Sequence, residues 1–419
     1  MKKNEVIEKL NELISYAEIY EGCVDLKRSP DSCVHFSHYF ERTNKHYSFH
    51  LSKDYADSYH NTFWQIYSSG SIEEKFSIDY VADKLHHFMI RLKVMNESVT
   101  VKNFDKFYNK LNMAKVDRQY VFFTLYGVDV NTDTPLEIGC FTLYNYNLHK
   151  EHIFKLTGYE TEETFLEYHQ QFKEHPVWIS TAIETSDVKK AYELARYKFE
   201  VFQGICQFFF DINKWNAYSV CVFDDFHPVF GRCFISSHMQ NYEKFENDIY
   251  RHKNIDAYNL VHTVSPIFKP LIERLSSTEK NEVNERIRYA FTTYGRIIYE
   301  RSDAQKFVMY ITAIEALIEY DEKDLTQMIT NYLSAMISDS LETYIATKRD
   351  FKITYNQRSE ISHGSRVFVL KGDLAYAKAY CAELILKFIT DKEIIPITKS
   401  EDLKAHLDSK VKRLEAQGV

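Results

Sequence analysis

The segment Tyr355-Asn356-Gln357-Arg358-Ser359-Glu360-Ile361-Ser362-His363-Gly364 sets an arginine and a histidine apart by four intervening residues. Arginine is permanently cationic and carries a planar fork of donors matched to phosphate. Histidine exchanges a proton near neutral pH. Together they can hold a phosphate of RNA while the imidazole takes the proton of the neighbouring 2′-hydroxyl, and no metal is required.

Spacing alone is not selective. Arginine followed at a similar distance by histidine recurs at Arg28/His35 and at Arg232/His238, so context has to separate the three. Around the third pair, Lys348, Arg349, Lys352, Arg358, Arg366 and Lys371 outnumber Asp350 and Glu360. That stretch is basic inside a chain of net charge −8. The overall charge argues against broad nucleic-acid binding, whereas the local charge suits an RNA-binding cleft with Lys352 and Arg366 as contacts. A solvated helix face of mixed charge explains the same residues equally well.

Helical elements have to position the pair. Apolar residues at three- and four-residue spacing predict helices over 282–300, 303–320, 325–337 and 341–362. A fifth carries Leu374, Ala377, Cys381, Leu384, Ile385 and Phe388. Five helices make a compact bundle. On a continuous helix Arg358 and His363 would be rotated by about 140° from each other. A left-handed Gly364 would end the helix and leave His363 in an adjustable last turn, with Ile361 anchored inward. The two side chains could then converge, or each could meet its counterpart from a second subunit.

Upstream, residues 1–20 read as an amphipathic helix, and 33–153 as β-rich and mostly antiparallel. Strand-like segments there are 47–51, 88–94, 120–126 and 138–144, with turn-prone sequence over 127–135. Residues 177–183 read as a strand and 187–210 as a long helix capped by Ser186 or Asp187. Further strands are expected at 217–223 and 229–236. The polar strip 242–270 ends in Pro266 and Pro270 and marks a boundary. The fold class is α+β, a β-rich N-terminal region followed by a C-terminal α-helical bundle. Its parts are 1–240 (a regulatory region of one or two subdomains), a linker at 241–279, the bundle at 280–392 and a tail at 393–419.

A length of 419 residues predicts two or three domains. No run approaches the roughly 20 apolar residues of a membrane span. Residues 1–20 lack a signal-peptide core, and the seven scattered cysteines form no close pair, so a reducing cytoplasm is expected. His46/His50, His149/His152 and His169/His175 have ligand-like gaps without an accompanying carboxylate. Neither a metal site nor a cofactor is expected.

The bundle residues resemble the HEPN superfamily, specifically its Apea-like, abortive-infection branch. Phe307-Val308-Met309-Tyr310-Ile311-Thr312-Ala313-Ile314-Glu315-Ala316-Leu317-Ile318 is similar to the family's aromatic-rich "ALEALL" helix. The 355–364 segment is similar to its "Y..RS.I.HG" segment, and a closing amphipathic helix follows as in the family. The match covers about 280 to 392, and neither Arg28 nor Arg232 has such surroundings. The resemblance implies a metal-independent endoribonuclease working as a homodimer through the bundle. Arg358 would neutralise the scissile phosphate and His363 would act as general acid or base. The products would be a 2′,3′-cyclic phosphate and a 5′-hydroxyl. Ser359 stands where many members have Asn, Asp or His, which fits the Apea-like branch and argues against a strong third catalytic group; Ser359 and Glu360 would support the site. Glu315 would orient Arg358 or simply face solvent. The implied setting is anti-phage defence, with a phage-derived trigger sensed by the N-terminal region. The alternative is a non-catalytic interaction scaffold or antitoxin-like module. A third class, a metal hydrolase in the N-terminal domain, is the weakest reading.

Overall fold

The structure is a computed structural model that describes residues 2–22, 32–40, 44–215, 218, 220–222, 230–235, 240–245, 253–262, 267–277, 280–320, 323–364 and 368–418. It forms two compact units, Met1–Val121 with Ala182–Ala195, and Phe122–Thr181 with Arg196–Val419.

The first unit contains α1 (Lys3–Tyr16), β1 (Glu18–Glu21), β2 (Ser32–Phe40), β3 (Lys45–Ser52), α2 (Ala56–Tyr67), α3 (Ile72–Lys75), α4 (Ile78–Met95) and α5 (Val101–Asn112). Its sheet, of order β1-β3-β2, is antiparallel, with Phe36 opposite Phe49 and His35 opposite His50. One apolar core joins α1, the sheet, α2, α4 and α5 through Leu10, Phe49, Phe63, Met89 and Phe104.

Residues 88–94, expected as a strand, lie inside α4. The deciding pattern is longer than that window. Val81, Leu85, Phe88, Met89 and Leu92 are all buried and recur at helical spacing. Ser77 accepts from the Tyr80 N–H to start the helix, and Asn96 in the left-handed region (φ 55°) ends it. The 33–153 region, expected as β-rich, thus carries long helices between its strands.

β4 (Asp117–Tyr126) leads into β5 (Val128–Asp129), β6 (Leu136–Ile138), β7 (Phe141–Asn145), α6 (Tyr146–Thr157), α7 (Glu162–His169) and α8 (Gln171–Glu174). β8 (Val177–Thr185), α9 (Val188–Ile212), β9 (Cys221–Val222), β10 (Phe230–Ile235), β11 (Gln240–Phe245) and β12 (Ile255–Asp256) follow. The main sheet has the order β6-β7-β8-β4-β9, β10 pairs antiparallel with β11, and β12 runs parallel to β5. The fold is α+β, as its sequence implies, with sheets toward the N-terminus and a helical bundle at the C-terminus.

The remaining helices are α10 (Ala257–His262), α11 (Phe268–Ser276), α12 (Glu282–Arg296), α13 (Asp303–Ile318), α14 (Leu325–Ile337), α15 (Leu341–Ser362), α16 (Lys371–Thr390) and α17 (Ser400–Glu415). α13 packs on α12, α15 and α16, and α14 packs on α15 and α17. Two segments differ from their sequence reading. Within 241–279, α11 buries Phe268, Leu271, Ile272 and Leu275, and Pro270 sits in its first turn, where a missing N–H costs no helical bond. Pro266 lies outside the described residues. The 393–419 segment, expected as a tail, carries α17, which buries Leu403, Leu407, Val411 and Leu414 along one stripe. Compact units also divide elsewhere than at 240, because 122–181 and α9 from Arg196 onward belong with the bundle.

Among the described residues no helix is long and apolar enough to cross a membrane.

Candidate functional site

α15 begins with a reciprocal cap. Ser340 Oγ accepts from the Thr343 N–H while Thr343 Oγ1 accepts from the Ser340 N–H. Tyr344, Phe351, Tyr355 and Ile361 form its buried side. At the other end the His363 N–H donates to Ser359 O and the Gly364 N–H donates to Ile361 O, each at 3.0 Å. Gly364 takes φ 74°, the left-handed stop expected there, and a Cβ on it would meet no atom within 4 Å. Glycine is needed there for backbone conformation and not for space.

α13 is apolar on nearly all sides, and within it Glu315 is buried, only 6% exposed. Its carboxylate is not left alone. Tyr355 O–H donates to Oε1 at 2.8 Å and Arg358 Nη2 donates to Oε2 at 3.1 Å. Burial nevertheless raises the Glu315 pKa above the ordinary carboxylate value, with the Glu319 charge adding to the rise. The bonds from Tyr355 and Arg358 pull the other way and only partly offset it. The Tyr355 phenol is pushed up, first by burial and then by the Glu315 charge. Sequence alone leaves Glu315 divided between an orienting carboxylate and a solvent-facing residue; the geometry makes it the buried acceptor for Arg358.

Arg358 is half-buried, its side chain 34% exposed. One guanidinium donor engages Glu315, and its Nε is buried without a hydrogen-bond partner among the described residues. Gln357 Oε1, next to it in sequence, is buried and unpartnered in the same way. An arginine fixed on one edge, with other donors to spare, can receive an anion.

His363 lies apart from this group. It is exposed, and its ring has no hydrogen-bond partner among the described residues. Lys352, Asn356, Ser359 and His363 follow one another by four, three and four positions, and all four are exposed. They form an outer stripe, while Tyr355 and Arg358, three apart, reach inward to Glu315. The expected residues therefore fall into two sets, Glu315 with Arg358 and Lys352 with Ser359 and His363. Glu360 is exposed. Arg366 lies outside the described residues, as do Arg28 and His238.

Two cations of the basic stretch are already engaged. Arg349 pairs with Asp350 at 2.9 Å, and Lys348 lies 3.9 Å from Glu415 and over the Tyr344 ring. Tyr355 was given no role by the sequence, although its position one turn before Arg358 is the signal that would have assigned one.

The histidine pairs have other surroundings. His149 is fully buried; its Nδ1 accepts from the Asn145 N–H at 3.0 Å and its Nε2 lies 2.8 Å from Thr132 O. It ties a loop to the start of α6. Among the described residues no group of three or more His, Cys, Asp or Glu could hold a metal ion.

The chain matches no protein-family model, no curated protein and no solved structure.

Proposed function

We propose that the 280–392 bundle is an Apea-like HEPN module and the protein a cytoplasmic, metal-independent endoribonuclease, an effector of bacterial anti-phage (abortive infection) defence. Arg358 binds and neutralises the scissile phosphate. The 2′-oxygen attacks phosphorus while an imidazole takes its proton, the P–O5′ bond breaks, and the departing oxygen receives a proton. A 2′,3′-cyclic phosphate and a 5′-hydroxyl remain.

The observation that carries this reading is the Arg358 guanidinium, fixed by buried Glu315 and, among the described residues, left with unspent donors five residues from an exposed His363 whose ring bonds none of them. Because the two point about 140° apart along a helix, a homodimer through the bundle is the arrangement that brings arginine and histidine to one phosphate. Lys352 and Ser359, on the stripe with His363, lie where they would guide the RNA strand. The N-terminal region restrains the bundle until a phage-derived trigger arrives.

A second reading, a non-catalytic HEPN scaffold or antitoxin-like module, draws on the same ion pair, which spends part of Arg358 on packing. The separating experiment compares wild type with His363→Ala and Arg358→Ala in cells, scoring growth, phage resistance and RNA integrity. EDTA-treated protein is assayed on RNA in parallel, with and without infected-cell extract. His363→Ala is the cleaner variant, since an exposed ring without bonds can be removed without unfolding the bundle. Full resistance and intact RNA in both variants would end the nuclease reading and favour the scaffold.

A further inference from the structure

The first unit carries a groove that the bundle's chemistry does not use. It consists of two adjoining cavities of about 420 and 620 Å³ that share Lys84, His87, Arg91 and Lys110. Both volumes fall in the range of roughly 300–1,000 Å³ typical of small-molecule sites.

Its charge runs against that of the chain. The larger protein has 60 Asp and Glu against 52 Lys and Arg. The first cavity is lined by Lys84, Arg91, Lys106, Lys110 and Lys115, and no Asp or Glu is among its described lining residues. Lys84 and Lys115 have carboxylates beside them, Asp83 at 3.1 Å and Asp117 at 3.0 Å. Arg91, Lys106 and Lys110 have none among the described residues, and the Arg91 Nε is buried without a hydrogen-bond partner among them. Like charges gathered without counter-charges repel one another, and an anion relieves that repulsion. The protonated form of His87 is disfavoured first by burial and then by His38, Arg91 and Lys84, with the Asp83 charge pulling the other way.

The cations come interleaved with rings. On α4, Tyr80, Lys84, His87, Phe88 and Arg91 recur at helical spacing, and on α5 so do Lys106, Phe107 and Lys110. Phe107 stacks on Phe88 at 4.8 Å between centroids, Phe40 stacks on His87 at 4.8 Å, and the Arg91 guanidinium lies 5.9 Å from the Phe88 ring centre. Tyr39, exposed on β2, lines the second cavity. Cations at the shared centre and aromatic faces on either side match one ligand chemistry, a flat heterocycle carrying several phosphates.

We propose that this groove binds a nucleotide, a nucleoside di- or triphosphate, with its phosphates on Arg91, Lys84 and Lys110 and its base against the aromatic wall.

Titration calorimetry on the full chain tests this with ATP, GTP, inorganic triphosphate and adenosine, at ligand concentrations up to about 1 mM. A nucleoside triphosphate is expected to bind at least about tenfold more tightly than inorganic triphosphate, and adenosine not measurably. Arg91→Gln and Lys110→Gln should each weaken binding by about tenfold, and Lys102→Gln, outside the groove, should not. Equal binding of nucleotide and inorganic triphosphate would reduce the site to a bare anion trap and overturn the proposal. So would an absence of binding by both nucleotides, or loss of binding in Lys102→Gln to the same extent as in Arg91→Gln. Each readout is binding, so failure here leaves the ribonuclease reading untouched.

Discussion

Arg358 on α15 donates through Nη2 to Oε2 of Glu315 on α13 at 3.1 Å, so the residue expected to meet substrate also neutralises a buried carboxylate of the bundle. Removing either partner has unequal consequences. Arg358→Ala strands a buried charge, and Glu315→Gln leaves a neutral acceptor beside a half-exposed cation that water can solvate. Arg358→Ala should therefore destabilise by about 1–3 kcal/mol, below the figure for a fully buried pair because the guanidinium is partly solvated. Glu315→Gln should cost less. Urea unfolding of both single variants and the double variant gives the coupling, expected at about 1–2 kcal/mol. A coupling near zero would mean that the pair contributes nothing to the packing of α13 on α15.

That dual role bears on activity. A loss of defence in Arg358→Ala mixes chemistry with stability, whereas Arg358→Lys keeps the charge and removes the fork. Under the proposed function Arg358→Lys should retain most of the stability and lose RNA cleavage by about 100-fold or more. Cleavage rates normalised to folded protein by circular dichroism check this. Retention of wild-type rates by the lysine variant would place the guanidinium outside the reaction.

How much of this was legible depends on how locally each feature is encoded. The expected helices at 325–337 and 341–362 coincide with α14 and α15, because Asp324 and Ser340 cap them and the apolar spacing is unbroken. Gly364 declared its own conformation. Residues 88–94 misled because a seven-residue window of FMIRLKV alternates well enough for a strand. Only Val81 and Leu85, outside the window, reveal the helical stripe. Pro270 misled because a proline reads as a break unless the start of the helix is known. The site divided for a similar reason. The five-residue step told how far apart Arg358 and His363 point, but that Glu315 would be buried depends on α12, α15 and α16 closing over α13.

Acid should act on His86 and on Glu315 in opposite senses. The His86 pKa is lowered to about 4 from its ordinary 6.5, mainly by burial; its ring stacks on Phe36 and bonds the Tyr59 hydroxyl. Between these values the unfolded chain binds the proton and the folded one does not, so stability falls as pH drops from 6.5 to about 4 and then levels. Glu315 is shifted upward, so between its ordinary value of 4.5 and the raised one the folded form keeps a proton that the unfolded chain has lost. Its contribution is greatest below the ordinary value of 4.5 and declines as pH rises through the raised one. NMR titration should find the His86 midpoint near 4. The stability difference between wild type and Glu315→Gln should shrink as pH rises from about 4 to 7, and a growing difference would reverse the assigned cause.

Glycines at a helix crossing offer the sharpest packing test. Gly204 on α9 lies against the α12 backbone, and a Cβ there would overlap the carbonyl group of Phe291. A Cβ on Gly295 would come 2.7 Å from Gly204 Cα, so the two glycines face each other. Around them Phe208 packs on Phe291 and Tyr294 with centroids 5.5 and 5.7 Å apart, a core that fixes the helix separation. The obstacle at Gly204 is backbone, which no rotamer change can move aside. Gly204→Ala should therefore destabilise by about 3 kcal/mol or more, as overpacking against a rigid wall does. Gly372→Ala is the control, since that glycine is exposed near the start of α16 with no atom within 4 Å of an added Cβ. Helix propensity then governs, and alanine should stabilise by about 0.5–1 kcal/mol. Thermal unfolding of the two variants should shift in opposite directions. A neutral Gly204→Ala would mean that α9 and α12 can separate without loss, and that the bundle does not depend on their contact.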